Sequence, residues 1–395
     1  MATQEAINSS RRSARIRRSI ERFFEVEAAS GIVLLLATAA ALAWANSPWQ
    51  STYAVFWESP LSAASHGLSL RWLVNDGLMS IFFLVVGLEI RAEVHDGALS
   101  SLRQAAVPFM AAIGGVMTPA LIYLAIVSPG TLARGWAVPT PTDIAFAIGV
   151  LTVLGARVPS AARVLLLALA VIDDVAAVLI IALFYSSGIG VLGLLEAVAA
   201  IGMVLLFQRL GIRSALAYLA PGAILWLGLL QAGVHPTLTG VILGLLTPAT
   251  SIGTDQPLRR VQQALHPWVA FGVMPLFALA NAGLVLGSFM PRSPQTATLT
   301  SAIVIALVLG KPLGITLFTW ATARSRLGSL PAGLSWRGVV LVGCLGGIGF
   351  TMSLFLTNLA FADPTLVTAA KSAVLMASAI AAAVGLLLGR FVLFR

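Results

Sequence analysis

Apolar runs of roughly twenty residues, the length a helix needs to cross a bilayer, dominate this chain. Short clusters of arginine, proline, glycine and serine separate them. Divided at these charges and turns, the sequence gives runs at about 28–46, 70–90, 104–127, 132–156, 161–185, 190–208, 214–231, 234–248, 264–289, 299–321, 338–360 and 366–390. The pattern predicts an all-α polytopic membrane protein of about 12 transmembrane helices, one transmembrane domain over 1–395 with no room for a soluble domain. The pair 214–231 and 234–248 fits least comfortably, because its second run is short.

Composition supports this reading. Hydrophobic residues make up 58% of the chain and charged residues 10%, against about 25% charged in ordinary soluble proteins. Disorder and a soluble enzyme are excluded on that ground. The single cysteine, Cys344, excludes disulfide frameworks and cysteine-based zinc sites.

The net charge of +9 could suggest nucleic-acid binding. Its placement argues instead for topology. With the N-terminus in the cytoplasm, 19 of the 24 basic residues fall in cytoplasmic segments, beginning with the cluster Arg11 to Arg22. Arg71, Arg134, Arg292 and Lys371 fall on the opposite side, and Lys311 lies inside a run. This alternation is the positive-inside pattern and would be scrambled by a wrong count of spans. It places both termini in the cytoplasm, with 1–27 as a cytoplasmic segment whose residues 13–27 are expected to lie on the membrane surface. Ala43-Trp44-Ala45 resembles a signal-peptide cleavage site. The run before it exceeds the usual hydrophobic region of about 7–15 residues, so a retained first helix is expected. The segment 47–69 is expected to be an external loop or hairpin, and its aromatic residues suit an interface or a partner contact.

Ionisable groups inside a span are expensive and usually functional. Asp143, Asp173, Asp174 and Lys311 each lie near the middle of a run. Asp173 and Asp174 sit in LALAVIDDVAAV, where adjacent helical positions point about 100° apart. One acid therefore leads and the other supports. Two carboxylates this close in a low dielectric do not both ionise cheaply, and their titration is a joint property. Carboxylate oxygens also suit a hard cation, and Na⁺ and Li⁺ fit that chemistry. A pair that served helix packing alone would still need partners, and none lies nearby in sequence.

Asp143 follows Pro139 and Pro141 in AVPTPTDIAFAIGV. Both prolines disfavour helix, so the span should break here and free the Thr140 and Thr142 groups. Asp143 would then begin the second half-helix and offset its positive end. The segment GCLGGIGFTMS, 343–353, holds four glycines in mid-span and predicts a second break. Two interrupted spans in corresponding halves are a sequence pointer to a transporter site. Lys311 has no acid in its own run, so it must find one elsewhere or lose its proton, and a pair with one of the mid-span acids Asp143, Asp173 and Asp174 is expected. Asp76, and Glu89 with Glu93 on one helix face, lie near span ends where a water-filled entrance could use them. His235 and His266 could respond to pH near neutrality, although a lone histidine is often purely structural.

No phosphate-binding GxxxxGK[ST], TVGYG-type filter or HExxH motif is present. An ATP-driven motor, a potassium-type pore and a zinc hydrolase are not indicated.

TPTDIAFA (140–147), LALAVIDDVAAV (167–178), GKPLGI (310–315), NDGLMSIFFLVVGLEI (75–90), GVHPTLTGVI (233–242) and GGIGFTMSLF (346–355) together resemble the NhaA-type bacterial sodium/proton antiporters, collinearly from about residue 20 to 390. The resemblance implies inverted repeats with crossing interrupted helices at the fourth and eleventh spans. It implies electrogenic, pH-regulated exchange of cytoplasmic Na⁺ or Li⁺ for external H⁺, two protons per cation, in the inner membrane, with no cofactor and no enzymatic activity. It assigns cation and proton binding to Asp173, Asp174 and Thr142, with charge compensation from Asp143 and Lys311. Asp76, Glu89, Glu93 and His235 fall at positions linked to entry and pH response. A homodimer held through 47–69 is expected, with no nucleic-acid partner. One departure stands out: Val261-Gln262-Gln263-Ala264 precedes His266 where the family often carries Glu, and Gln262 cannot titrate. The alternative reading is a symporter of a small organic anion on a similar scaffold, which would need a larger polar pocket. A channel or a non-transporting sensor is weaker still, since a sensor would need an output domain.

Overall fold

A computed structural model describes all residues except 1–25, 61–67, 97–101, 156–157, 187, 189, 213, 250–255, 326 and 394–395. The described residues form helices in the order α1 Val26–Ala45, α2 Gln50–Glu58, α3 Leu70–His95, α4 Leu102–Ile126, α5 Ile144–Val153, α6 Ser160–Phe184 and α7 Val191–Arg209. There follow α8 Ala215–Gln231, α9 Leu238–Leu246, α10 Pro257–Asn281, α11 Pro294–Arg324, α12 Trp336–Gly346, α13 Phe350–Ala360 and α14 Pro364–Leu393.

Eight of these, α1, α3, α4, α6, α7, α10, α11 and α14, are long and apolar enough to cross a membrane. The pair α12 and α13 gives a ninth crossing, bent by 44° at its break. Large apolar side chains such as Leu183, Leu195 and Leu313 are exposed on the outer surface. A soluble protein would not leave them in water, and hydrocarbon removes that cost. The chain is a multi-span membrane protein.

The run 132–156 departs from one continuous helix. Thr131–Ala137 is a short 3-10 segment, residues 141–143 have no helical bonding, and helix resumes only at Ile144. Pro139 and Pro141 remove backbone donors here, as their positions predict. The 47–69 connection is helical over Gln50–Glu58, and Pro60 bridges Ser69 in antiparallel fashion. Its residues 61–67 lie outside the described residues, as does most of the expected surface helix over 13–27. Lys371 is the clearest difference from the charge count. It is 3% exposed inside α14, so it is a buried group rather than an external boundary charge.

Two local features set the helix spacing around the centre. A Cβ built on Gly314 of α11 would collide with the Gly114 carbonyl of α4, and one on Gly114 would collide with the Gly314 carbonyl. Only glycine at both places lets these backbones touch. Three long helices also carry a π turn, at Leu73–Leu78, Val269–Val273 and Ala306–Gly310. Each lies beside or contains a polar residue of interest, respectively Asp76, His266 and Lys311, and such turns are common at functional sites.

Candidate functional site

The two helix breaks meet at the centre of the protein. The Asp143 N–H donates to the Ile348 carbonyl at 2.7 Å, joining the backbone before α5 to the break between α12 and α13. The Asp143 carboxylate then caps both half-helices. Its Oδ1 accepts from the Phe146 N–H at 3.0 Å, and its Oδ2 accepts from the Thr351 N–H at 3.0 Å and from the Thr351 hydroxyl. These are orphan donors of helix starts, and a carboxylate there also faces the positive ends of two helix dipoles. Asp143 is 2% exposed and does not pair with Lys311.

Lys311 instead pairs with Asp173. Its Nζ donates to Asp173 Oδ2 at 2.6 Å and to Thr142 Oγ1 at 3.0 Å, and neither charged side chain is exposed. The Thr142 hydroxyl lies 2.7 Å from Asp173 Oδ2 and 3.0 Å from the Gly346 carbonyl. It has one hydrogen to give and so donates to one of these at a time. The π turn ends at Gly310, immediately before Lys311.

Asp174 faces elsewhere, as the rotation between adjacent helical positions requires. It is 3% exposed and its Oδ1 has no hydrogen-bond partner. It lines a cavity of about 70 Å³ together with Thr142, Asp143, Thr351, Glu89 and His266. A buried carboxylate on the wall of a small cavity that also holds Asp143 and Glu89 is the kind of acceptor a partly hydrated cation or a proton needs.

At the cavity's other end Glu27, the second residue of α1, bonds His266 Nε2 at 2.9 Å. Gln262 lies within hydrogen-bonding reach of Glu89.

Comparison with known families settles the assignment. The family model described as Na+/H+ antiporter 1 matches residues 21–388. The chain belongs to the Na+/H+ antiporter 1 family. It is 55% identical over 382 residues to the Na(+)/H(+) antiporter NhaA of Acidovorax sp. (strain JS42), covering 94% of this chain and 91% of that protein. It is 48% identical to Na(+)/H(+) antiporter NhaA 2 of Pseudomonas putida (strain ATCC 47054 / KT2440), over 98% of this chain and 96% of that one. It is 50% identical to the NhaA of Janthinobacterium sp. (strain Marseille), over 94% and 93%. The family is one of transporters, not enzymes.

Within this antiporter-family chain the four residues expected at the entrance divide into two places. Glu89 lines the cavity with Asp174. Asp76 lies 13 residues earlier on α3, about 20 Å away along the axis. There its Oδ1 is 3.5 Å from His235 Nε2, whose ring also contacts Thr237 Oγ1 at 2.9 Å and the edge of Phe355. Glu93, one helical turn beyond Glu89, is not among the cavity residues.

Sequence reasoning did not find Thr351, Glu27 or the cluster around Lys371. Thr351 carried a signal, since it follows the predicted glycine break by two residues. Glu27 opens an apolar run and resembled an ordinary helix-end charge. The Lys371 partners, reached through Asn281, come from helices remote in sequence.

Proposed function

We propose that this chain is an electrogenic Na⁺(Li⁺)/H⁺ antiporter of a bacterial inner membrane, and that Asp174 with Asp173 carries the exchanged load. The Asp174 carboxylate on the cavity wall, beside the Lys311–Asp173 pair, carries this reading. Na⁺ entering the cavity is held by carboxylate oxygens, with water completing its shell. Protons from the opposite side neutralise the carboxylates and expel the cation. One site that holds either load couples the two flows, because each ligand shifts the conformational balance only through its differential affinity. Thr142 and Lys311 stabilise the emptied carboxylate of Asp173 between loads. The cation and the proton are substrates, and no resident cofactor is needed.

The fine topology belongs to the same proposal. The eight long helices, the bent pair α12–α13, the interrupted segment 131–153, α8 and α9 make twelve crossings. The fourth and eleventh cross at their breaks as inverted repeats, and the arginine distribution places both termini in the cytoplasm. A homodimer through the 47–69 connection completes the assembly.

The organic-anion symporter is not supported. A cavity of about 70 Å³ is far below the roughly 300–1,000 Å³ of usual small-molecule sites.

The test is dequenching of a ΔpH probe in everted vesicles on addition of NaCl, LiCl or KCl, for wild type and Asp174→Asn. Na⁺ and Li⁺ should dissipate ΔpH, K⁺ should not, and Asp174→Asn should be silent. Absence of any cation response in correctly inserted wild-type protein would overturn the antiport reading.

A further inference from the structure

On the side of the breaks away from the cavity, the protein is closed by two layers. The nearer is aromatic. Phe355 of α13, 1% exposed, packs against Phe83, Phe277 and the His235 ring, with centroids 5.6, 6.4 and 5.6 Å away. The farther is polar and centres on Asn281, the last residue of α10. Its Nδ2 donates to Asn75 Oδ1 at 2.7 Å and to the Phe277 carbonyl at 3.0 Å. Its Oδ1 accepts from Asn358 Nδ2 and from Lys371 Nζ, each at 3.1 Å. An amide has two donor hydrogens and two acceptor lone pairs, so Asn281 is saturated. It ties together α3, α10, α13 and α14. Asn358 lies seven residues beyond Thr351, so this hub stands about 10 Å from the breaks.

Lys371 is the unexpected member. Its side chain is buried, and among the described residues it forms no ion pair with a carboxylate. A methionine or leucine would fill the same space at no desolvation cost. Lys371 lies seven residues into α14, about 10 Å from the end of that helix. Once the surrounding helices part, water entering the opening can solvate its amine. Burying this amine, whether as an ammonium or after loss of its proton, therefore penalises the closed arrangement, and the penalty is relieved in the open one.

We propose that Lys371 is a positioning residue that keeps this far side openable, by holding the closed and open arrangements of the Asn281 hub near balance. The inference rests on the antiport reading, which requires the site to face each side in turn. It adds the group that sets how readily the second face opens. The two faces are built differently: one is a cavity lined by acids, the other a packed plug whose stability is lowered by a buried lysine amine.

The experiment uses the full chain in right-side-out vesicles, with Ser353→Cys as reporter in a Cys344→Ala background. Ser353 is fully buried, one turn past the break, between the site and the plug. A membrane-impermeant, charged methanethiosulfonate is added outside. Lys371→Met is expected to slow labelling about tenfold, because removal of a buried charge from one state shifts a two-state balance by that order. Turnover should fall in step, the apparent KM for Na⁺ on the cavity side should not rise, and the melting temperature should hold or increase. Lys371→Arg should keep wild-type labelling and turnover. A lysine that merely clamps the fold gives the opposite: faster labelling and a lower melting temperature in Lys371→Met, and that result would overturn the proposal. If the cysteine is shielded in every variant, the turnover and KM pair decides: unchanged turnover in Lys371→Met also overturns it. Labelling needs no Na⁺, so failure of the antiport reading would show separately, as wild-type protein that opens but exchanges nothing.

Discussion

Lys311 and Asp173 form a fully buried ion pair at 2.6 Å through Asp173 Oδ2, while Asp174, the next residue, makes no ion pair among the described residues and lines the cavity instead. Neighbours in sequence thus have separate tasks. Asp173 is tied to a fixed counter-charge and to Thr142, and Asp174 is left open to the cavity. This division explains how two adjacent acids can share a low-dielectric site: one charge is compensated within the protein, and the other is available to a transported ion.

Breaking the pair from one side should be costly. Lys311→Met leaves Asp173 buried without its counter-charge, a loss of about 3–5 kcal/mol. Thermal melting in detergent should show a clear drop. The double variant Lys311→Met/Asp173→Leu removes both charges and should recover most of that stability, since a buried pair replaced by apolar groups is often neutral or better. Neither variant should exchange cations. A double variant as unstable as the single one would show that the pair is not what Lys311 contributes.

Asp143 is a cap more than a counter-ion, and its variants should separate those roles. Asp143→Ala strands the Phe146 and Thr351 N–H donors, at about 1–3 kcal/mol for each buried unsatisfied group. Asp143→Asn keeps an acceptor oxygen and should fall between wild type and Asp143→Ala in melting temperature. Thr351→Val removes one hydroxyl donor and should cost about 1 kcal/mol. Equal melting temperatures for Asp143→Ala and Asp143→Asn would count against capping.

Much of this site could be read before any fold was known. Lipid forbids long polar stretches, so apolar runs report spans directly, and charges inside them stand out as expensive. Proline and glycine clusters report breaks for equally local reasons, and both breaks fall where Pro139, Pro141 and Gly346, Gly347 and Gly349 put them. Partner choice was not legible. Lys311 could have met any of three acids, and only the rotation of α6 selects Asp173, 138 residues away. Depth was misread for Lys371, because a charge five residues into the run 366–390 looks like a boundary residue until its neighbours are known. Glu27 was hidden for the converse reason: it sits at a helix end, where charges are ordinarily solvated, yet it faces His266.

The contact between α4 and α11 gives a prediction about packing alone. Gly114 and Gly314 leave no room for a side chain on either helix, and Lys311 is one turn from Gly314. Gly314→Val forces the helices apart. Overpacking typically costs about 1–3 kcal/mol, and the melting temperature should fall accordingly. The shift also moves Lys311 relative to Asp173, so turnover should fall more than stability alone would require. Full turnover in Gly314→Val at a temperature where it is folded would show that the helix spacing does not set the ion pair.

The cavity mouth offers a prediction about pH. Gln262 lies within hydrogen-bonding reach of Glu89. Gln262→Glu would put two carboxylates within reach of one proton, and such pairs titrate jointly, in two macroscopic steps. The pH profile of Na⁺-driven dequenching should therefore gain a step and span a wider range than in wild type. Gln262→Leu adds no titrating group. It removes a hydrogen bond from Glu89, so it should change the level of activity while leaving the shape of the profile alone. Glu89→Gln removes the acid itself. It should raise the apparent KM for Na⁺ about fivefold, the weight of about 1 kcal/mol of screened attraction, with kcat largely kept. A Gln262→Glu profile superimposable on wild type would separate pH response from this mouth and place it deeper, at Asp173 and Asp174.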